Sequence, residues 1–146
     1  MKNFIERSIE KLEEDVSLAA RIKVFSLDPE ARHLSQGPLL LVLPAGTRLI
    51  RRDETRSLLE LEALVEVSFH RFQGGANPAQ LLAEFEDDIR SLLSGSRLTD
   101  GEDDYLDEAP LTILETRYDF PMQDGKSTDP PFRLQMRLSG GRFIQS

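Results

Sequence analysis

Leu59 to Phe69 limits what this chain can fold into more than any other stretch. Read as extended chain, it sets Leu59, Leu61, Ala63, Val65, Val67 and Phe69 on one face and Glu60, Glu62, Leu64, Glu66 and Ser68 on the other. That period of two predicts a half-buried strand. Its eleven residues reach roughly 36 Å at ~3.3 Å each, about twice an ordinary strand, so it is expected to be the spine of an antiparallel sheet with one wet face. Ordering the backbone costs ~1–2 kcal/mol per residue, so such a strand needs neighbours and a covering helix.

Both are found along the chain. Residues 3 to about 20 read as one amphipathic helix, with Ile5, Ile9, Leu12, Val16 and Ala19 or Ala20 on the apolar stripe and Glu6, Lys11, Glu13, Glu14 and Asp15 opposite. Arg21 to Phe25 suits a short extended piece, and a loop runs from Asp28-Pro29 to Gly37-Pro38. Leu39 to Leu43, bounded by prolines, predicts a buried strand; Pro44-Ala45-Gly46 predicts a tight reversal into Thr47–Arg52, making a hairpin. A second turn over Asp53 to Ser57 leads into the spine. Asn77, Pro78 and Gln80 are helix-start signals, and Leu82, Phe85, Ile89, Leu92 and Leu93 form the apolar face of a helix capped by Gly95. Leu111–Phe120 predicts a strand with Leu114, Thr116, Tyr118 and Phe120 on one face. Phe132–Leu138 predicts the strand that closes the sheet, ended by Gly140-Gly141. The expectation is a single α+β domain over 1–146: an antiparallel, mostly meander sheet of about 4–6 strands with an N-terminal helix and one long covering helix on one face. Polar loops fall at about 28–37, 97–110 and 121–131.

Few chemistries fit these residues. Without cysteine there is no disulfide framework, thiolate metal site or cysteine nucleophile. The N-terminus lacks a signal-peptide core, and Leu39 to Leu43, the longest apolar run, is far too short to cross a membrane. A net charge of −8 argues against direct recognition of nucleic acid, whose phosphates want a basic face. Gly125-Lys126-Ser127 resembles the end of a phosphate loop, but Phe120 stands where its first glycine belongs and Thr128-Asp129-Pro130-Pro131 follows in place of a helix. Gly74-Gly75 is read as a strand-to-helix turn. His33 and His70 are the two imidazoles, no nucleophile elbow accompanies them, and His70 is expected on the glutamate face, solvated and paired with an acid. Six carboxylates crowd Asp100 to Glu108 (Asp100, Glu102, Asp103, Asp104, Asp107 and Glu108) without calcium-loop order, so the segment should be solvated unless a basic surface meets it. No catalytic residue, metal ligand or cofactor follows from the sequence, and the protein is expected not to be an enzyme.

Surface charge is the remaining signal. The basic residues are 14 Arg and 4 Lys, and arginine is the cation enriched at protein interfaces. Glu60, Glu62 and Glu66 line the outward face of the spine, Arg133 and Arg137 that of the last strand, and Arg48, Arg51 and Arg52 the hairpin exit. These charges either pair across strands within one chain or meet between copies, head to tail.

The layout resembles the tail terminator proteins of long-tailed bacteriophages and phage-like tails. The resemblance rests on the opening helix Phe4–Ala20, Leu39–Pro44 leading into a hairpin, the alternating strand ending Val65-Glu66-Val67-Ser68-Phe69, the helix Pro78–Ser94, and the closing strands Leu111–Phe120 and Phe132–Leu138. It implies a hexameric ring that caps the tail tube, stops its growth and meets the head-completion protein, assembled in the host cytoplasm and carried at the head-proximal end of the virion tail. Loops 44–58, 97–110 and 121–131 would then contact other copies, the tube protein or the neck, with Asp100, Glu102, Asp103 and Asp104 meeting a basic surface and the arginine-rich hairpin an acidic one. Related neck, head–tail connector and tail-completion proteins share this size and general build. From other classes, an acidic inhibitor or immunity-type module would use 100–108 as a plug, and a small hydrolase would need His33 or His70.

Overall fold

The computed structural model describes residues 1–33, 37–52, 54–70, 77–96, 98, 111–125 and 129–145. The spine strand is the centre of the fold and is longer than its alternating core. It runs as β3 over Arg56–Phe69, preceded by helices α1 (Lys2–Glu13) and α2 (Val16–Arg21) and strands β1 (Val24–Ser26) and β2 (Leu39–Arg52). Helix α3 (Pro78–Leu93), β4 (Thr112–Asp119) and β5 (Phe132–Gln145) follow. The five-stranded sheet has the order β1-β2-β3-β5-β4. The fold is α+β, with the sheet antiparallel except for β1, which pairs parallel to β2.

The helices cover one face. Leu40 and Val42 of β2, Leu61 to Phe69 in alternation on β3, and Leu134, Met136 and Leu138 of β5 pack against Phe4, Ile9 and Leu12 of α1, Leu18 of α2, and Leu82, Phe85, Ile89 and Leu93 of α3. Burying one such side chain is worth ~1.5–3 kcal/mol, and this face holds the main core. The start of α3 is as expected: the Asn77 side chain accepts the Ala79 N–H at 3.0 Å and Pro78 opens the first turn.

Four local expectations change. The first helix breaks after Glu13, because the Asp15 side chain accepts the Leu18 N–H at 2.8 Å and caps a new helix. Leu18 then enters the core, while Val16, expected there, is 83% exposed. Pro44-Ala45-Gly46 is not a reversal: Pro44 faces Ala63 and Gly46 faces Glu62, leaving Ala45 as the extra residue of a β-bulge inside a continuous β2. A bulge accommodates a proline that has no N–H to give the ladder, and the chain turns only between Arg52 and Arg56. Gly140-Gly141 does not end β5, since Gly140 faces Leu61 and Gly141 faces Glu60. A Cβ at Gly140 would stand 2.6 Å from the Phe4 ring, so the glycine is where α1 presses on the sheet. Finally, β5 does not close a meander. At 14 residues it matches the 14-residue β3 along its length and inserts beside it, leaving the eight-residue β4 at the edge.

The second face is covered in part. The crossover from β1 to β2, roughly a dozen residues as parallel pairing requires, contains a 3₁₀ turn, Pro29–His33. Its Ala31 packs with Leu39 and Leu41 into a small second core. Glu66, opposite Leu41 on β3, is 1% exposed and Ser68 is buried too, so this end of the supposed wet face is closed.

Replacing Gly140 by Val should destabilise the fold by about 1–3 kcal/mol through overpacking against Phe4. Denaturant unfolding of Gly140→Val, alone and with Phe4→Leu, checks this: the second substitution should return part of the loss.

Candidate functional site

Glu66 anchors the charged face. Arg32, on the 3₁₀ turn, donates from Nε and Nη2 to its two carboxylate oxygens at 2.8 and 3.1 Å, and Gln135 of β5 donates to the same carboxylate at 2.9 Å. Arg133 Nε lies 3.6 Å from Oε1, an ion pair without a hydrogen bond. A two-pronged guanidinium and a side-chain amide thus compensate a carboxylate removed from water. The bond ties the crossover to the middle of the sheet.

Outward from Glu66 the charges form a ladder. Arg137 of β5 donates to Glu62 of β3 at 2.9 Å and to Glu115 of β4 at 3.2 Å, and Arg117 donates to Glu115 at 2.6 Å. On the other side, Arg48 of β2 donates to Glu60 at 2.9 Å. The hydrogen bond from Arg137 holds the Glu62 carboxyl below the usual carboxylate range, and those from Arg117 and Arg137 do the same for Glu115; Arg137 is raised in turn by Glu62 and Glu115. Such exposed pairs add little stability, but they fix which strand residues stand opposite one another. A depression of about 210 Å³ between Leu64, Glu115, Arg117, Gln135 and Arg137 opens within the ladder.

At the β4 edge, α3 reaches over the sheet. Tyr118 donates its hydroxyl to Glu86, and Arg90 donates to Glu86 at 3.2 Å and to Thr116 at 3.0 Å. Burial pushes the Tyr118 hydroxyl up to about 12, helped by the Glu86 hydrogen bond and the charges of Glu86 and Asp87. Burial opposes the charge on Glu86, yet the bonds from Tyr118, Arg90 and Thr116 outweigh it and leave that carboxyl lowered.

The expected interface residues therefore divide. Glu60, Glu62, Glu66, Arg48, Arg133 and Arg137 come together in ion pairs within one chain. Arg51 and Arg52 lie on the exposed far part of β2, where Arg51 makes an interaction of its own. Asp100, Glu102, Asp103 and Asp104 lie outside the described residues, as do Gly74, Gly75, Lys126 and Ser127. The ends of the acidic segment are nonetheless clipped together: Gly95 N–H donates to Leu111 O at 2.9 Å and Leu111 N–H to Ser96 O at 2.8 Å. Gly125 belongs to a turn in which the Asp129 carboxylate accepts the N–H groups of Asp124 and Gly125. His70 is half-buried with its Nδ1 enclosed and, among the described residues, without a hydrogen-bond partner, contrary to the solvated pair expected. Arg32 and Gln135 were not legible as partners of Glu66. Arg32 lies in a loop without periodicity, and only the acid held between Val65 and Val67 hinted that something must meet it.

No protein-family model matches this chain, and no curated protein sequence matches it. Among the described residues, no helix is long and apolar enough to cross a membrane.

Removing Arg32 leaves the buried Glu66 carboxylate short of two hydrogen bonds, so Arg32→Ala should cost about 1–3 kcal/mol by denaturant unfolding, and Arg32→Lys should recover part of it. Tyr118 gives a pH signature. Its folded value of about 12 lies above the ordinary 10.0, so its contribution is whole below pH 10 and is lost as pH rises from 10 to 12, where the unfolded chain releases the proton first. The side chain is 40% exposed, and after allowance for solvent screening the contribution is about 1 kcal/mol or less. Tyr118→Phe should be the less stable protein below pH 10, and the gap in unfolding midpoint should close towards pH 12.

Proposed function

We propose that this protein is a structural component of a long-tailed phage or phage-like tail: a tail terminator whose copies form a ring, six to the turn, at the head-proximal end of the tail. There it caps the tube, halts addition of tube subunits and presents a surface to the head-completion protein. Its partners are other copies of itself, the tube protein and a neck protein; it assembles in the host cytoplasm and remains in the virion. A different neck or head–tail connector role is the nearest alternative.

The observation that carries this reading is the projecting ribbon built from the far parts of β2 and β3 and the end of β5. From Pro44 to Arg52, β2 is exposed throughout, yet it stays paired to β3, which is paired in turn to β5 as far as Gln145. An exposed stretch of β2 this long, paired to a β3 whose Leu59 and Leu61 still touch the core, suits an arm that lies on another molecule. A charged sheet face whose ion pairs set register suits a building block. The clipped base of segment 97–110 favours a second reading, an acidic module that presents this segment to a basic partner.

Native mass measurement and negative-stain imaging, followed by tube growth with and without the protein, test the proposal. Rings of six 16.5 kDa chains that arrest tube polymerisation are expected. Tubes that grow unchecked in the presence of the protein sink it. A tight one-to-one complex with a basic protein, abolished by deleting 100–108, moves the assignment to the second reading.

A further inference from the structure

Two exposed apolar patches with opposite charge lie at different ends of the sheet. The first is on the arm, where Leu49 and Ile50 are 52% and 48% exposed and stand beside Arg51 and Arg52. A second bulge, at Ile50 between Leu49 and Arg51, interrupts the inward–outward alternation there and leaves both apolar side chains at the surface. Residues 44–58 carry four arginines and two carboxylates, and Glu60 on the paired strand takes up Arg48, so the tip of the arm keeps a small positive excess in a chain whose net charge is −8. The second patch is the β4 edge. Leu114, extruded by a bulge between Ile113 and Glu115, is exposed, as are Tyr118, Phe120 and Met122, the last at 87%. Tyr118 and Phe120 stack at 6.0 Å, and Phe120 meets Phe132 at 6.3 Å, so the edge offers a ready-made aromatic surface. Two arginines stand at this edge, but Arg117 is paired with Glu115 and Arg90 with Glu86, so the charge left over is that of three exposed carboxylates: Asp119 on β4, Asp124 just beyond, and Asp87 on α3, close enough to act on the Tyr118 hydroxyl.

The geometry points to a head-to-tail contact between copies of this chain, in which the basic, apolar arm of one copy docks on the acidic, aromatic β4 edge of the next. The occupant follows from charge. Arm against arm sets arginines on arginines, and edge against edge sets the carboxylates on one another; arm against edge alone joins unlike charge to unlike charge while covering both apolar patches. Because the two patches are different surfaces, the contact is heterologous, and each copy uses one of each, as a closed ring requires. This gives the ring proposed above its seam, and rests on that reading for the number of copies.

Charge exchange tests it. Arg51→Glu with Arg52→Glu reverses the arm, and Asp87→Lys with Asp119→Lys reverses the edge; circular dichroism first confirms that each variant is folded. By sedimentation velocity, each reversal alone should weaken self-association by about tenfold or more. An equimolar mixture of the two variants should recover it, since each reversed arm then finds a reversed edge, and so should a chain carrying all four substitutions. Met122→Gln should weaken association without altering this charge pattern. Variants that assemble like the wild type, a mixture that fails to recover, or a wild-type chain that stays monomeric to its solubility limit each overturn the seam. Rings that persist in the reversed variants overturn the seam and leave the ring standing. Charge-swapped rings that reassemble yet do not arrest tubes uphold the seam and remove the tail-cap role.

Discussion

The double pairing of β3 is the constraint on which the remaining structure depends. Residues 57–68 are registered against β2 on one side and 56–69 against β5 on the other, so a long central backbone has its hydrogen-bonding groups satisfied inside the sheet. With the backbone satisfied, both faces of β3 are free to be covered at its core end: Val65, Val67 and Phe69 by the helices, and Glu66 by Arg32 of the crossover. The same pairing carries β2 past the core, which is how its exposed stretch from Pro44 to Arg52 keeps its shape. Gly140 shows how tight the fit is, because the helix that covers the sheet leaves no room there for a single added carbon.

Glu66 illustrates what charge does in this fold. A carboxylate with 1% exposure is costly unless its oxygens are occupied, and here Arg32 and Gln135 occupy them from a loop and from a neighbouring strand. The arrangement selects one placement of the crossover and one register of β5, since a slip by a residue would turn Gln135 to the core face. The outer ladder of Glu62, Arg137, Glu115 and Arg117 is exposed and adds less energy. Its contribution is also register, now across three strands.

The proposed assembly grows from the mismatch between arm and core. The helices cover only part of a sheet in which β2 runs on exposed from Pro44 to Arg52, and the tip of this stretch keeps a small positive excess on an otherwise acidic chain. An edge strand with an aromatic stack and flanking carboxylates offers the complementary surface. On the proposed reading, the specificity of assembly resides in shape and charge.

Much of the architecture was legible in the sequence because local periodicity is a direct readout of which side a residue faces. The alternation at 59–69, the Asn77-Pro78 start of α3 and the strands near 112–119 and 132–138 needed no tertiary information. Three features did. Pro44-Ala45-Gly46 has the composition of a turn, and only a partner strand already in place made it a bulge; Gly140-Gly141 has the composition of a strand end, and only Phe4 pressing on the sheet made it strand. The charges told the same story from the other side. Their presence on one sheet face followed from alternation, but which acid meets which arginine depends on strand order, and the insertion of β5 between β3 and β4 brings Arg137 to Glu62 and Glu115 together. Side-chain direction is a local property of the backbone and is written in the sequence, whereas the pairing of distant segments is settled only when strands compete for the same edge.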